Sequence, residues 1–305
     1  MKIPGGPVPE WQLFEPQIKK TETGIEETGV ITPDGQYFPF DHGESIAFIR
    51  EGNQRKPVIK LSDGTEVSFE AWKIRRREDL KKLFEGADPK YGELYLRLLE
   101  DFPELEQLSV KAGTKEQYPT LEFTGGFWKR PDSQNPNPKI IVEMENQAHY
   151  QDLLRDREES AREAAALLGI SFEELLKNPE ILGKFIFLHE IGHAQDYLAN
   201  FQNGEKAKND PNFDPVSENL DKRKEEMVTL PVPGENPVGV KKMYKEGRLT
   251  SYFEKYKEYY LSKGITSPED LVKKHELAYR NLPSEKYADQ FAADVLKKYW
   301  SILVS

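Results

Sequence analysis

Residues 187–196 read Phe-Leu-His-Glu-Ile-Gly-His-Ala-Gln-Asp (FLHEIGHAQD), with His189 and His193 four apart and Glu190 after the first histidine. Residues four apart on a helix lie on one face, one turn from each other, so both imidazoles can present a ring nitrogen to a single point. That is a metal-binding geometry. Glu190 is rotated roughly 100° from His189, too far to complete the coordination but able to lean toward a water on the same ion. Gly192 is expected to leave space beside the site. The stretch just before the motif, ILGKFIFL, is apolar, so the pair sits on the hydrophobic side of a helix, where an imidazole is costly to bury without a partner.

The surrounding sequence supports that helix. Asn178-Pro179-Glu180 is a cap residue with proline in the first turn, and Gly204 reads as the stop. Upstream, SFEE (Ser171 to Glu174) is a capping-box pattern for a short helix, preceded by a long helical segment from about Gln147 to Leu168. LEFTGGFW and KIIVEM (residues 121–128 and 139–144) read as strands around the loop PDSQNPNP. Residues 1 to about 70 are β-rich, with PVIKLSDGTEVSF as a hairpin closed at Asp63-Gly64. Two helices are expected next, one near 76–86 and one opened by Asp88-Pro89. The predicted organisation is therefore a β-containing N-terminal region, 1–110, of unassigned role, followed by a mostly helical region with a small sheet, 111–305. The fold class is α+β.

Residues 203–240 are rich in Asn, Asp, Lys, Glu, Pro and Gly, a composition that cannot bury a core by itself. They read as a polar surface insertion or lid. Beyond it, Ser267-Pro268-Glu269-Asp270 caps one helix and Pro283-Ser284 precedes a last one. Tyr252, Phe253, Tyr256, Tyr259 and Tyr260 fall at helical spacing and read as packing residues, with a substrate-groove wall as the alternative.

Composition bounds the partners. The 305-residue chain carries 31 % charged residues and a formal charge of -10, with a mean hydropathy of -0.73. No apolar run approaches the eighteen or so residues of a membrane span. The acidic balance argues against nucleic acid, since phosphate binding needs concentrated Lys and Arg. The one basic knot, Lys73 to Arg77 (KIRRR), runs at once into Glu78 and Asp79 and reads as a solvated face. With no cysteine, disulfides, thiolate metal sites and a cysteine nucleophile are excluded. The N-terminal MKIPGGPVPEWQLF lacks the apolar core of a secretory signal, and a cytoplasmic location is expected.

A catalytic Zn²⁺ takes three protein ligands and leaves a fourth position open, lowering the pKa of a bound water to about 7 so that a carboxylate such as Glu190 can take its proton. The extended metzincin pattern HExxHxxGxxH would need glycine at 196 and histidine at 199; the chain has Asp196 and Ala199. A glutamate from another helix is the other common third ligand. EKYADQFAADVL (285–296) offers Glu285 and Asp289 on one face, 92 positions after His193. HExxH with a downstream ExxxD resembles the gluzincin metallopeptidases. That resemblance implies a zincin-like fold, one Zn²⁺ on His189, His193 and Glu285, and Asp289 orienting a zinc-bound histidine. It also implies Glu190 as general base and a protein or peptide as substrate. Its wording, Glu285-x-x-Ala288-Asp289, is similar to the ExxAD of membrane-embedded members of the same clan.

Peptide hydrolysis also needs a donor for the developing oxyanion. Tyr287, Tyr279 and His275 are candidates by their closeness in sequence to Glu285. Two functional readings follow: a zinc-dependent metallopeptidase, or a protein that keeps the scaffold for binding or regulation. A peptidase held latent by its own segments lies between them.

Overall fold

A computed structural model describes residues 14–21, 24–33, 37–40, 43–52, 54–85, 89–113, 126–129, 139–143, 154, 158–210 and 212–301. The chain divides into two compact units, Met1–Ala112 with Lys129–Ile140, and Gly113–Trp128 with Ile141–Ser305.

The first unit contains two antiparallel three-stranded sheets. One has strands β1 (Glu15–Thr21), β2 (Gly24–Ile31) and β3 (Tyr37–Pro39), and the other β4 (Ser45–Glu51), β5 (Gln54–Lys60) and β6 (Glu66–Ser68), each in sequence order. The hairpin at Asp63-Gly64 forms as expected between β5 and β6. Gly64 has φ of 84°, and the Asp63 carboxylate accepts the Thr65 N–H at 2.8 Å, so a left-handed residue and an Asx contact close the turn.

Helix α1 (Phe69–Glu85) begins well before the expected position, because the Ser68 hydroxyl accepts the Ala71 N–H at 3.2 Å and starts it there. That earlier start carries Phe69 and the fully buried Trp72, which meet Phe38 in edge contacts and close the core with Val30, Ile59 and Leu61. Helix α2 (Pro89–Asp101) opens at its proline. The KIRRR knot is compensated within this unit. Arg76 lies 4.9 Å over the Trp72 ring, Lys73 lies 5.4 Å over Phe69, and Arg77 pairs with Glu106.

A third sheet has the order β7-β9-β8, built from β7 (Ser109–Gly113), β8 (Gly126–Lys129) and β9 (Lys139–Glu143). The strand readings at LEFTGGFW and KIIVEM are met at 126–128 and 139–143; residues 121–125 and 144 lie outside the described residues. The loop between them and most of the segment 147–157 lie outside the described residues.

From residue 158 on, the second unit is helical. Helix α3 (Glu158–Leu168) is followed by α4 (Phe172–Lys177), where the Ser171 hydroxyl accepts the Glu174 N–H at 3.1 Å, as the capping pattern predicts. Helix α5 (Pro179–Asp196) carries the histidine motif and is buried on nearly every face, as a central helix with apolar residues all round must be. Its entry residue Asn178 caps backwards: the side-chain amide donates to the Glu174 carbonyl of α4 at 3.0 Å and does not cap α5. The chain runs on through a wider π-type turn, Tyr197–Gln202, closed by Asn203 N–H on the Leu198 carbonyl at 2.8 Å. Gly204 follows it with extended backbone, and a Cβ there would lie 2.2 Å from the Asn200 carbonyl oxygen.

The expected surface insertion is instead structured. It holds α6 (Glu205–Asn209), α7 (Pro215–Val228) and the start of α8 (Pro237–Lys245), and it buries Leu230, Val232 and Val240. Well-placed caps start its helices. Asp214 and Asn236 accept N–H groups of the first turns of α7 and α8, and proline follows each of them. Val232 and Val240 join Leu249 and Phe253 of α9 (Arg248–Lys255), Tyr260 of α10 (Lys257–Ser262), Ile265, and Leu271 of α11 (Pro268–Arg280) in one core. The Ser267 cap of α11 is made, at 3.0 Å to Asp270 N–H. Within the aromatic series, Phe253 and Tyr260 are buried and stacked, whereas Tyr256 and Tyr259 are exposed. The last helix, α12 (Pro283–Lys298), packs along α5 more extensively than any other helix does. Among the described residues, no helix is long and apolar enough to cross a membrane.

Candidate metal centre

Helix α5 brings the His189 and His193 Nε2 atoms to 3.1 Å from each other, with the rings edge-on. Glu285, in the first turn of α12, faces both. Its Oε2 lies 3.4 Å from His189 Nε2 and its Oε1 lies 3.6 Å from His193 Nε2. The three ligand atoms lie within 4.8 Å of one another, and all three residues are buried. A tetrahedral zinc with ligand bonds of ~2.0–2.1 Å would separate its ligand atoms by ~3.3 Å, close to the 3.1 Å between the two Nε2 atoms and the 3.4 Å from His189 Nε2 to Oε2.

What lets the two helices approach is Gly192. A Cβ on it would lie 2.9 Å from the Ala288 Cα and 3.2 Å from the Ala288 carbonyl oxygen and the Phe291 Cβ. The expected open space beside Gly192 is therefore filled by the backbone of α12. Glycine is required because the helices that carry the histidine pair and Glu285 touch there, with the Ala288 backbone against Gly192.

Asp289, one turn after Glu285, accepts from His189 Nδ1–H at 2.8 Å. This fixes the ring so that Nε2 faces the cluster, the arrangement that orients histidine ligands. Arg280, at the end of α11, donates to the same Asp289 oxygen, and its Nη1 lies 3.8 Å from Glu285 Oε2. Arg223 of α7 donates to Glu285 Oε1 at 2.5 Å and to the Tyr279 hydroxyl at 2.7 Å. Burial pulls the His189 pKa down, but the hydrogen bonds to Asp289 and Glu285 outweigh it and raise the value to about 9. Burial likewise opposes ionisation of Glu285, yet the histidines hold its carboxyl well below the usual range. Arg280 Nε and Glu226 Oε1 are buried polar side-chain atoms of this region that no protein group satisfies, as expected where water completes a buried polar site. Sequence reasoning missed both arginines. Arg223 sits in a charged run, DKRKEE, and no local signal separates it from Lys222 and Lys224.

The remaining candidates part company. His275 is fully buried, its Nδ1 accepting from Val232 N–H at 3.3 Å and its Nε2–H donating to the Glu235 carbonyl at 3.0 Å. With burial pushing its pKa down to about 4, it is a neutral tie for the 232–235 turn. Of the three oxyanion-donor candidates it is the one whose two ring nitrogens are both engaged by the main chain. Tyr279 accepts from Arg223 and so touches the cluster through that guanidinium. Tyr287, 37 % exposed, donates to Gln195 on the motif helix. Glu190 is half-buried beside the pair. Asp196 accepts from the Asn200 amide at 2.7 Å and serves the π-type turn. Comparison of the chain with family models, with curated proteins and with solved structures finds no match.

Proposed function

We propose that the protein is a zinc-dependent metallopeptidase of zincin type, acting on protein or peptide substrates. The observation that carries this reading is the convergence of His189 Nε2, His193 Nε2 and a Glu285 oxygen, with Asp289 on the outer nitrogen of His189. Zinc bound there would supply a Lewis acid and a water acidified to a pKa of about 7.

The chain's own residues would do the rest. The two histidines and Glu285 hold the ion, and Asp289, itself anchored by Arg280, keeps the His189 ring turned inward. Glu190 is one residue on from His189 and half-buried. Its carboxylate is the group to take a proton from the attacking water and deliver it to the leaving amine. The raised affinity of His189 for a proton means that metal entry must displace that proton.

The test is Glu190→Gln, assayed for zinc by elemental analysis and for hydrolysis of an unstructured protein such as casein. The variant is expected to keep its zinc and lose hydrolysis. Full activity with bound zinc in that variant would sink the mechanism.

A further inference from the structure

A metal that works through a bound water needs a coordination position the protein does not fill. A carboxylate ligand endangers that position, because with both oxygens it occupies two. In this molecule one of the two Glu285 oxygens already has a strong partner. Arg223 is the one buried residue of α7, at 8 % exposure. Its Nη2 donates to Glu285 Oε1 at 2.5 Å and to the Tyr279 hydroxyl at 2.7 Å. Its Nη1 meets Glu226 Oε2 at 3.3 Å and the Ser284 hydroxyl, and Ser284 in turn donates to Glu226 at 2.5 Å. The guanidinium is therefore fixed at both terminal nitrogens, a use that the planar fork of arginine suits and the single ammonium of lysine does not. Oε1 also lies 3.6 Å from His193 Nε2, whereas Oε2 lies 3.4 Å from His189 Nε2 and has its nearest guanidinium nitrogen, Arg280 Nη1, only at 3.8 Å.

We propose that Arg223 is a positioning residue of the metal centre. By holding Oε1 it limits Glu285 to one ligand oxygen, Oε2, and so keeps a coordination position open for water. The proposal rests on the metal-site reading above. It also gives a purpose to the polar stretch 203–240, whose longest helix delivers the clamp.

The test replaces zinc by Co²⁺ in the full chain, since the visible absorption of cobalt is strong for four-coordinate sites and weak for higher coordination. Wild type is expected to show the strong four-coordinate bands. Arg223→Gln should bind cobalt with weakened bands as Oε1 joins the metal. Its kcat should fall about tenfold to a hundredfold, the range for removing a residue that orients a metal ligand, with KM little changed. Arg223→Lys should restore this only in part. Tyr279→Phe leaves the guanidinium in place but loosens it, and should shift the spectrum the same way by less; it decides the matter if Arg223→Gln does not fold. Spectra identical to wild type in every folded variant, with only the melting temperature lowered, would make Arg223 a structural ion pair and overturn the proposal. Failure of wild type to bind cobalt would instead break the metal reading itself, and the proposal with it.

Discussion

His275 and the His189–His193 pair are all buried in the same helical unit, yet their surroundings differ in kind. Around His275 the partners are two peptide groups, a donor on one nitrogen and an acceptor on the other. Such a ring is satisfied when neutral, and burial drives its pKa down to about 4. Around His189 the partners are carboxylates and a second imidazole, and the pKa rises to about 9. The same lone pairs and negative charges that attract a proton there attract a metal cation. Burial alone therefore does not make a histidine a ligand; the chemistry of what meets each nitrogen does.

The sharpest way to break this contrast is to remove one of the proposed ligands. His193→Ala should leave the folded protein without stoichiometric zinc after dialysis, whereas His275→Gln should keep about one zinc per chain, both measured by elemental analysis. The second effect is on stability. His275 has a depressed folded pKa, so its contribution is present above about pH 6.5 and lost as pH falls toward about 4, on the order of 3 kcal/mol at most. The difference in denaturant stability between wild type and His275→Gln should therefore shrink over that window. His189 runs the other way in metal-free protein: its raised pKa stabilises below about pH 6.5, and the gain is lost as pH rises through about 9. An alkaline decline in metal-free stability that zinc removes would sharpen the distinction.

Gly192→Ala should cost about 1–3 kcal/mol by overpacking, because the new methyl meets backbone and cannot be relieved by a rotamer change. It should weaken zinc binding as well, since the same contact brings Glu285 up to the histidine pair. Asp289→Asn is the mildest. It keeps a hydrogen-bonding group on His189 Nδ1 but loses the charge, and should lower zinc affinity about tenfold to a hundredfold in a competition titration.

Much of the helical unit was legible because its signals are local. Ser171, Ser267 and the prolines at 179, 268 and 283 start helices where the sequence predicts, since a cap needs only the next three residues. The β5–β6 hairpin is readable for the same reason. The structured insertion was not legible, because its valines and Leu230 are too few to form a core alone, and the valines gain one only from α9, α10 and α11. The α1 start was missed because Ser68 and Phe69 read as the end of the hairpin strand.

By itself the sequence determined that His189 and His193 share a helix face, that Glu190 follows between them, and that Glu285 and Asp289 share a face of a later helix. Four-residue spacing on a helix is a property of the backbone and needs no partner. Only the tertiary structure decided that the two faces meet, through the absence of a side chain at Gly192, and that Arg223 and Arg280 reach the acids on α12. It also decided that His275 is a main-chain tie, although it lies only ten residues before Glu285. These outcomes depend on which surfaces come together across distant parts of the chain, and no local pattern encodes that.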